Sequence, residues 1–408
     1  MLTTRRTFCT QTATLLLSSQ PLLPQSPHPQ TSTARPDVAS IDHKRILLAA
    51  QNYLVKLPTP LTALPCKRSP GTPHDFYSEA DDYWPDANKP ASPYIQRNGS
   101  PNPAAFTEHR DALLTLSIQV PALTAAFVLT QEERYANHAV AHLRAWFVDP
   151  DTSMSPSLLF AGTVPPAKEG SFEGVLETVH LAEVAQSIPF LANSDAFTKS
   201  DLDGLSGWFA AYFQWLTTSR LAGLARDHKS HHGTSWLLQT TAFSRLNLAL
   251  LPNSDDAALS ELRHRYKTVT IRAQITADGT FPHELTTVNP YRLSLFNLDM
   301  LAAVCLLLST RFESVWDYDL QDGPGMRAAI ARHFPYIQNR STWPYVSDAK
   351  HFSELPLRQP SLLFAARAYT RPEYADLWKT LPADTDIPEL QRTFPIRQPL
   401  LWVAKPRP

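Results

Sequence analysis

Glycine, charge and cysteine are all in short supply in this chain of 408 residues. Its 12 glycines are outnumbered by 36 prolines. That ratio excludes flexible glycine linkers and points to a compact body with stiff, proline-punctuated connections. Charged side chains make up 18% of the residues, below the usual share of about a quarter. With 37 basic and 38 acidic residues the net charge is −1. Phosphate binders concentrate positive charge, so this balance excludes a nucleic-acid partner on electrostatic grounds. An anionic substrate would need a local basic pocket. The three cysteines are Cys9, Cys66 and Cys305. Cys305 lies in the apolar run "LAAVCLLL", which reads as buried, and Cys66 and Cys305 are expected to be free thiols. Beyond the N-terminal leader no stretch reads as long and apolar enough to span a membrane.

What is present divides into a leader and a body. "MLTTRRTFCTQTATLLLSS" carries the paired arginines Arg5 and Arg6 before a modest apolar stretch. Thr-Arg-Arg-Thr-Phe resembles the twin-arginine export motif, which implies a periplasmic or secreted protein. A proline-rich spacer, "QPLLPQSPHPQTSTARP", follows. Residues 1–36 are therefore read as export signal and spacer, and residues 37–408 as one domain.

From about residue 104 apolar residues recur at three- and four-residue spacing, the period of a helix with one face toward a core. Eight successive segments carry this pattern: 104–130, 132–147, 172–192, 201–219, 233–251, 257–275, 294–310 and 325–337. Ser200 and Asp201 before the fourth, and Ser254, Asp255 and Asp256 before the sixth, read as helix starts. Strand-like alternation is scarce and no βαβ rhythm is present, so the fold class is all-α. So many helices of similar length close economically as an α/α toroid of antiparallel pairs, with a central cleft walled by loops and helix ends.

Four stretches carry candidate chemistry. In "DDYWPDANKPASPYIQRNGSPNPAAF", Tyr83, Trp84 and Tyr94 could stack on sugar rings beside Arg97 and Asn98. The same composition also suits a surface loop covering core. "LLFAGTVPPAKEGSFEGVLET" offers Lys168 as a cation. Its Glu173 and Glu177, four apart on one helix face, form either a solvated pair or the carboxylate pair of a glycoside hydrolase. "DHKSHHGTSW" puts His228, His231 and His232 within five positions. A metal would want a further ligand such as His283 or Asp227. Ser230 and Gly233 suggest a helix start, where a histidine in a cleft is better suited to proton transfer. No metal is therefore expected. "ITADGTFPHELTTVNPYRLSLFNLDML" supplies Glu284, Tyr291 and Arg292. Arginine can clamp a carboxylate and tyrosine can exchange a proton, although both could simply pack or be solvated.

Taken together and in order, these stretches resemble the alginate lyase domain family, the helical-toroid polysaccharide lyases. "YWPDANKPASPYIQRNGSPNP", "FEGVLET", "SHHGT", "DGTFPHELTTVNPYRLSLFNLDML" and "VWDYDLQDGPGMRAAIARHFPYIQNRSTWPY" carry the likeness over most of residues 80–350. The resemblance implies β-elimination on a uronic-acid polymer, an acidic polysaccharide partner and no metal or other cofactor. In the family an Asn–His pair and an Arg neutralise the uronate carboxylate, a His or Tyr takes the C5 proton, and a Tyr protonates the leaving oxygen. His232 matches the histidine. His231 stands where the family has asparagine, Thr287 where it has arginine and Leu293 where it has tyrosine. Tyr291 and Arg292 are then expected to compensate as acid and carboxylate clamp, with His231 neutralising charge and Glu284 contributing to substrate binding. Two further readings stand beside this one: a toroid that binds acidic glycan without cleaving it, and a glycoside hydrolase using Glu173 and Glu284.

Overall fold

The structure, a computed structural model, describes residues 35–89, 92–251 and 255–406. The export-signal reading of the N-terminus falls on residues outside these. The helices, in chain order, are α1 (Val38–Tyr53), α2 (Glu108–Thr130), α3 (Glu133–Phe147), α4 (Leu181–Leu191) and α5 (Lys199–Thr218), then α6 (Arg220–Arg226), α7 (His231–Leu250), α8 (Ala257–Arg265), α9 (Ile271–Gln274) and α10 (Pro290–Leu308). They continue with α11 (Met326–Gln338), α12 (Pro360–Tyr369), α13 (Pro372–Thr380), α14 (Pro388–Arg392) and α15 (Leu400–Val403). Two small sheets complete the described residues: β1 (Tyr77–Glu79) parallel to β4 (Phe160–Thr163), and β2 (Tyr83–Trp84) antiparallel to β3 (Ile95–Gln96).

The helices form two layers of an α/α toroid. Helices α2, α4, α7, α10 and α12 are successive neighbours in an inner row, while α1 and α3 pack outside α2, α5 outside α7 and α13 outside α12. Burial explains the assignment. Every residue from Gly233 to Ser244 in α7 and from Ser294 to Cys305 in α10 is buried, so these helices are enclosed all round, as an inner layer requires. The same feature corrects the expectation that no stretch could cross a membrane. By length and hydropathy both α2 and α10 could, but 72% and 83% of their apolar windows are buried within the protein.

Other differences from the sequence reading have local causes. The segment expected as one helix over 172–192 splits into a tight 3-10 turn, Phe172–Thr178, and α4. Gly174 in that turn lies so close to the Ala161 carbonyl that no β-carbon fits. The segment 257–275 splits at a π-helical turn over Tyr266–Thr270. Helix α5 begins earlier than expected. Thr198 is its cap, and Asp201 returns the hydrogen bond as the third residue of a capping box. Helices α1, α6 and α12–α15 lie outside the eight expected segments. Cys66 and Cys305 are free thiols, with Cys305 2.9 Å from the Tyr266 hydroxyl.

The C-terminal segment returns to the start of the inner row, where α15 packs on α4 and α2. Its anchor is Glu183 of α4, a carboxylate only 1% exposed. Glu183 accepts the backbone N–H groups of Arg397 and Gln398 and the Trp402 indole N–H at 2.8–3.2 Å. Each buried charge-assisted bond of this kind contributes about 1.5–3 kcal/mol.

Candidate active site

Ser230 caps α7 and makes its first turn a rigid platform. Its hydroxyl lies 2.8 Å from His228 Nδ1 and accepts the His232 backbone N–H. Gly233 abuts the His228 carbonyl, where any β-carbon would collide. His231 and His232 are thus the first two residues of an inner helix, at its positive end. His232 lines a cleft of about 320 Å³ together with Arg110, Arg292, Arg392, Glu173 and Glu177. Burial, then the neighbouring His231 and His228, holds its pKa well below the ordinary 6.5. The ring is therefore neutral at neutral pH. Its Nδ1 is enclosed, with no hydrogen-bond partner among the described residues, which leaves Nε2 as the nitrogen to serve the cleft. Phe172 fixes the ring from the side, edge-on to His232 at 5.4 Å and stacked on His228 at 5.1 Å.

His231 turns inward instead. Its Nδ1 and its backbone N–H each lie 2.7 Å from one oxygen of Glu284, a carboxylate with 0% exposure. Asn297 Nδ2 donates to the same carboxylate at 3.3 Å and to Gln274 Oε1 at 3.0 Å, while Gln274 Nε2 donates to the Ser230 carbonyl. The network ties α7 to α10 and fixes the His231 ring 4.4 Å from that of His232. A carboxylate on Nδ1 sets the ring's tautomer and orientation.

Three arginines line the cleft and bring local positive charge among its carboxyl groups. Arg110 of α2 and Arg392 of α14 both reach Asp81, at 3.0 and 3.5 Å. His180 Nε2 lies 3.1 Å from the Arg392 carbonyl and holds that segment in place. Arg292 is raised on the first turn of α10, whose end is capped by Asp348 accepting the N–H groups of Tyr291 and Arg292 at 2.8 and 2.9 Å. With the Asn289 amide oriented to satisfy both its groups, its oxygen accepts from Arg292 Nη2. Arg292 Nε and Nη1 are buried without a partner among the described residues. Burial lowers the pKa of Arg292 from its usual value, with Arg392 adding to the effect. Arg292 lines the cleft, where a guanidinium can meet a carboxylate. Opposite in character is Glu177, which burial pushes up to about 7 against the pull of Arg110. Burial first and then Asp82 also raise Glu173.

The profile of the alginate lyases matches residues 62–343, well over half of the chain. The chain belongs to the alginate lyase family. An alginate lyase from Bacteroides ovatus has a similar crystal structure, with a TM-score of 0.75 and 26% identity over 88% of this chain and 94% of that one. Alginate lyase A1-III from Sphingomonas species A1 shares the fold, with a TM-score of 0.54 and 16% identity over 93% and 100% of the two chains. A variant of A1-III complexed with a tetrasaccharide gives a TM-score of 0.53 at 14% identity, over 93% of this chain and 99% of that one. No curated protein matches the sequence.

Within this lyase fold several sequence-based site assignments move. Tyr291 is 0% exposed, packs against Trp343 and Phe352, and donates its hydroxyl to the Tyr336 carbonyl at 2.9 Å. It does not line the cleft, because successive residues at a helix start diverge and Arg292 takes the cleft side. Glu284 cannot touch substrate, being enclosed behind His231, and so cannot pair with Glu173 as hydrolase carboxylates. His231 is 7% exposed and supports His232 from behind rather than lining the cleft. Thr287 turns its hydroxyl onto the Glu284 carbonyl, and Leu293 packs on the core. Glu173 and Glu177 both line the cleft, but from a 3-10 turn, where residues four apart do not share a face.

The binding loop contributes different residues from those expected. Asp81, Asp82 and Gln96 line the cleft, whereas Tyr83 and Tyr94 line a small neighbouring cavity of about 80 Å³. Burial first, and then the charges of Glu173 and Asp82, raise the pKa of the Tyr83 hydroxyl. Trp84 donates to the Ser100 carbonyl at 2.7 Å and carries the Arg97 guanidinium over its ring at 5.2 Å. Asn98 and Lys168 are exposed, away from the cleft lining. Sequence reasoning missed Arg110 and Arg392. An arginine inside the apolar pattern of α2 was a signal for the first. Nothing periodic marks the second. Among the described residues no group of three metal-ligating side chains occurs.

Proposed function

We propose that the cleft cleaves a uronic-acid polymer by β-elimination, with His232 as base and Arg292 as the carboxylate clamp. The observation carrying this reading is the juxtaposition of a neutral, buried imidazole with a guanidinium that lines the same cleft. A proton beside a carboxylate is only weakly acidic until charge developing on the carboxylate is stabilised. Arg292 supplies that stabilisation and His232 takes the C5 proton. The electron pair then forms the C4–C5 double bond as the C4–oxygen bond breaks. The acidic lining, including Asp81, Asp82 and Glu389, suits hydroxyl-bearing sugars held alongside the arginines. Arg5 and Arg6 support export to the periplasm or beyond, where such polymers would be met.

The test is incubation with polymannuronate, polyguluronate and glucuronan while following the ultraviolet absorbance of the unsaturated product. New reducing ends without that absorbance would mean hydrolysis, and binding without either product would mean a non-catalytic toroid. Replacing Arg292 with methionine is expected to lower kcat/KM about 10- to 100-fold, the equivalent of one charge-assisted hydrogen bond. An unchanged kcat/KM would remove Arg292 from the clamp. The low pKa of His232 also sets a pH dependence. Because the ring stays neutral as pH falls through 6.5, the acid limb of kcat/KM should lie below that value. A limb centred at 6.5 would contradict the buried, neutral base.

A further inference from the structure

An elimination needs a proton for the departing oxygen, and neither expected tyrosine supplies it. Leu293 occupies one position, and the hydroxyl of Tyr291 is committed to the Tyr336 carbonyl. His232 is the base. The arginines hold their protons too tightly to act as acids near neutrality. Among the carboxyl groups of the cleft, Asp81 pairs with Arg110 and Arg392, Asp82 accepts from Gln96 and Glu389 faces His351, which leaves Glu173 and Glu177 on the tight turn that follows β4. Glu177 is held between the Ser78 hydroxyl and Arg110, with its Oε2 enclosed by the protein and turned from substrate. Glu173 lies at the other end. It directly follows Phe172, the ring in contact with both His232 and His228. Asp82, which lines the same cleft, is near enough for its charge to act on Glu173.

We propose that Glu173 is the proton donor to the departing glycosidic oxygen. The inference rests on the β-elimination reading and assigns the half of the reaction which that reading leaves open. The C5–H bond breaks toward His232 Nε2, its electron pair becomes the C4–C5 double bond, and the C4–O bond breaks as oxygen takes the Glu173 proton. Afterwards His232 holds one proton more and Glu173 one fewer. Exchange with water returns both to their starting states, so nothing is consumed. Burial and the adjacent Asp82 carboxylate favour the protonated form of Glu173 before the step. Glu173 and His232 line the same cleft, as a donor and a base acting on one sugar ring must.

The experiment compares wild type, Glu173→Gln and His232→Ala on two substrates. One is the natural polyuronate. The other is a methyl uronoside bearing 4-nitrophenoxide at C4, a leaving group that departs without a proton. For Glu173→Gln we expect kcat on the polymer to fall about 10²–10³-fold, the usual worth of a positioned acid, with KM little changed. Release of nitrophenoxide should stay within about threefold of wild type, while His232→Ala loses both reactions. If Glu173→Gln slows both substrates equally, or slows neither, the assignment is overturned. If wild type gives no unsaturated product from any polyuronate, the elimination reading itself fails, an outcome separate from the other two.

Discussion

Substituting His232 with alanine should reduce unsaturated-product formation by about 10³-fold or more, the upper range for loss of a positioned base. The fold should survive the change. Nδ1 of this ring has no hydrogen-bond partner among the described residues, so truncation leaves no donor or acceptor stranded. Circular dichroism and urea unfolding would verify that, and initial rates would be read by ultraviolet absorbance. Activity within tenfold of wild type would transfer the role of base elsewhere. His228 would be the next group to test, since it shares the Phe172 contact and is also held below the ordinary histidine pKa, chiefly by burial.

The second large effect concerns stability. Replacing Glu284 with alanine should destabilise the folded protein by about 3–5 kcal/mol. The change strands the backbone N–H and Nδ1 of His231 and a donor of Asn297, all buried. It also frees the His231 ring, so catalysis should fall even under conditions where the protein stays folded. Glu284→Gln keeps the shape but turns a donor toward His231, and an intermediate loss is expected. Urea unfolding midpoints together with rates in dilute buffer separate the two effects. A destabilisation below about 1 kcal/mol would mean that water or a relaxed loop replaces the carboxylate at little cost.

The helices were legible because their cause is local. Apolar spacing in α2, α3, α5, α7 and α10 gives their extents closely, and the scarcity of strand-like alternation gives the class. The cleft-lining histidine was legible for a similar reason, since a cap residue, two histidines and a glycine lie consecutively in the chain. The remainder of the site depends on separations that spacing cannot express. Arg110 and Arg392 are brought to one aspartate from opposite ends of the sequence. Tyr291 and Arg292 are adjacent in sequence, yet helix geometry sends one into the core and the other into the cleft. Glu284 reads as a polar loop residue, and its complete burial follows only from the packing of α7 on α10. A sequence pattern identifies the kinds of residue available; the three-dimensional closure of the toroid decides which of them face substrate.

The buried Glu183 anchor has a consequence for how the enzyme comes into being. The segment it holds follows α14, which places Arg392 and Glu389 in the cleft lining. Synthesis proceeds from the N-terminus, so nascent chains that already possess His232 and Arg292 still lack one side of the binding surface. Substrate recognition is therefore withheld until the segment around Arg397 and Gln398 has emerged and docked on Glu183. That segment serves as the closing fastener of the ring.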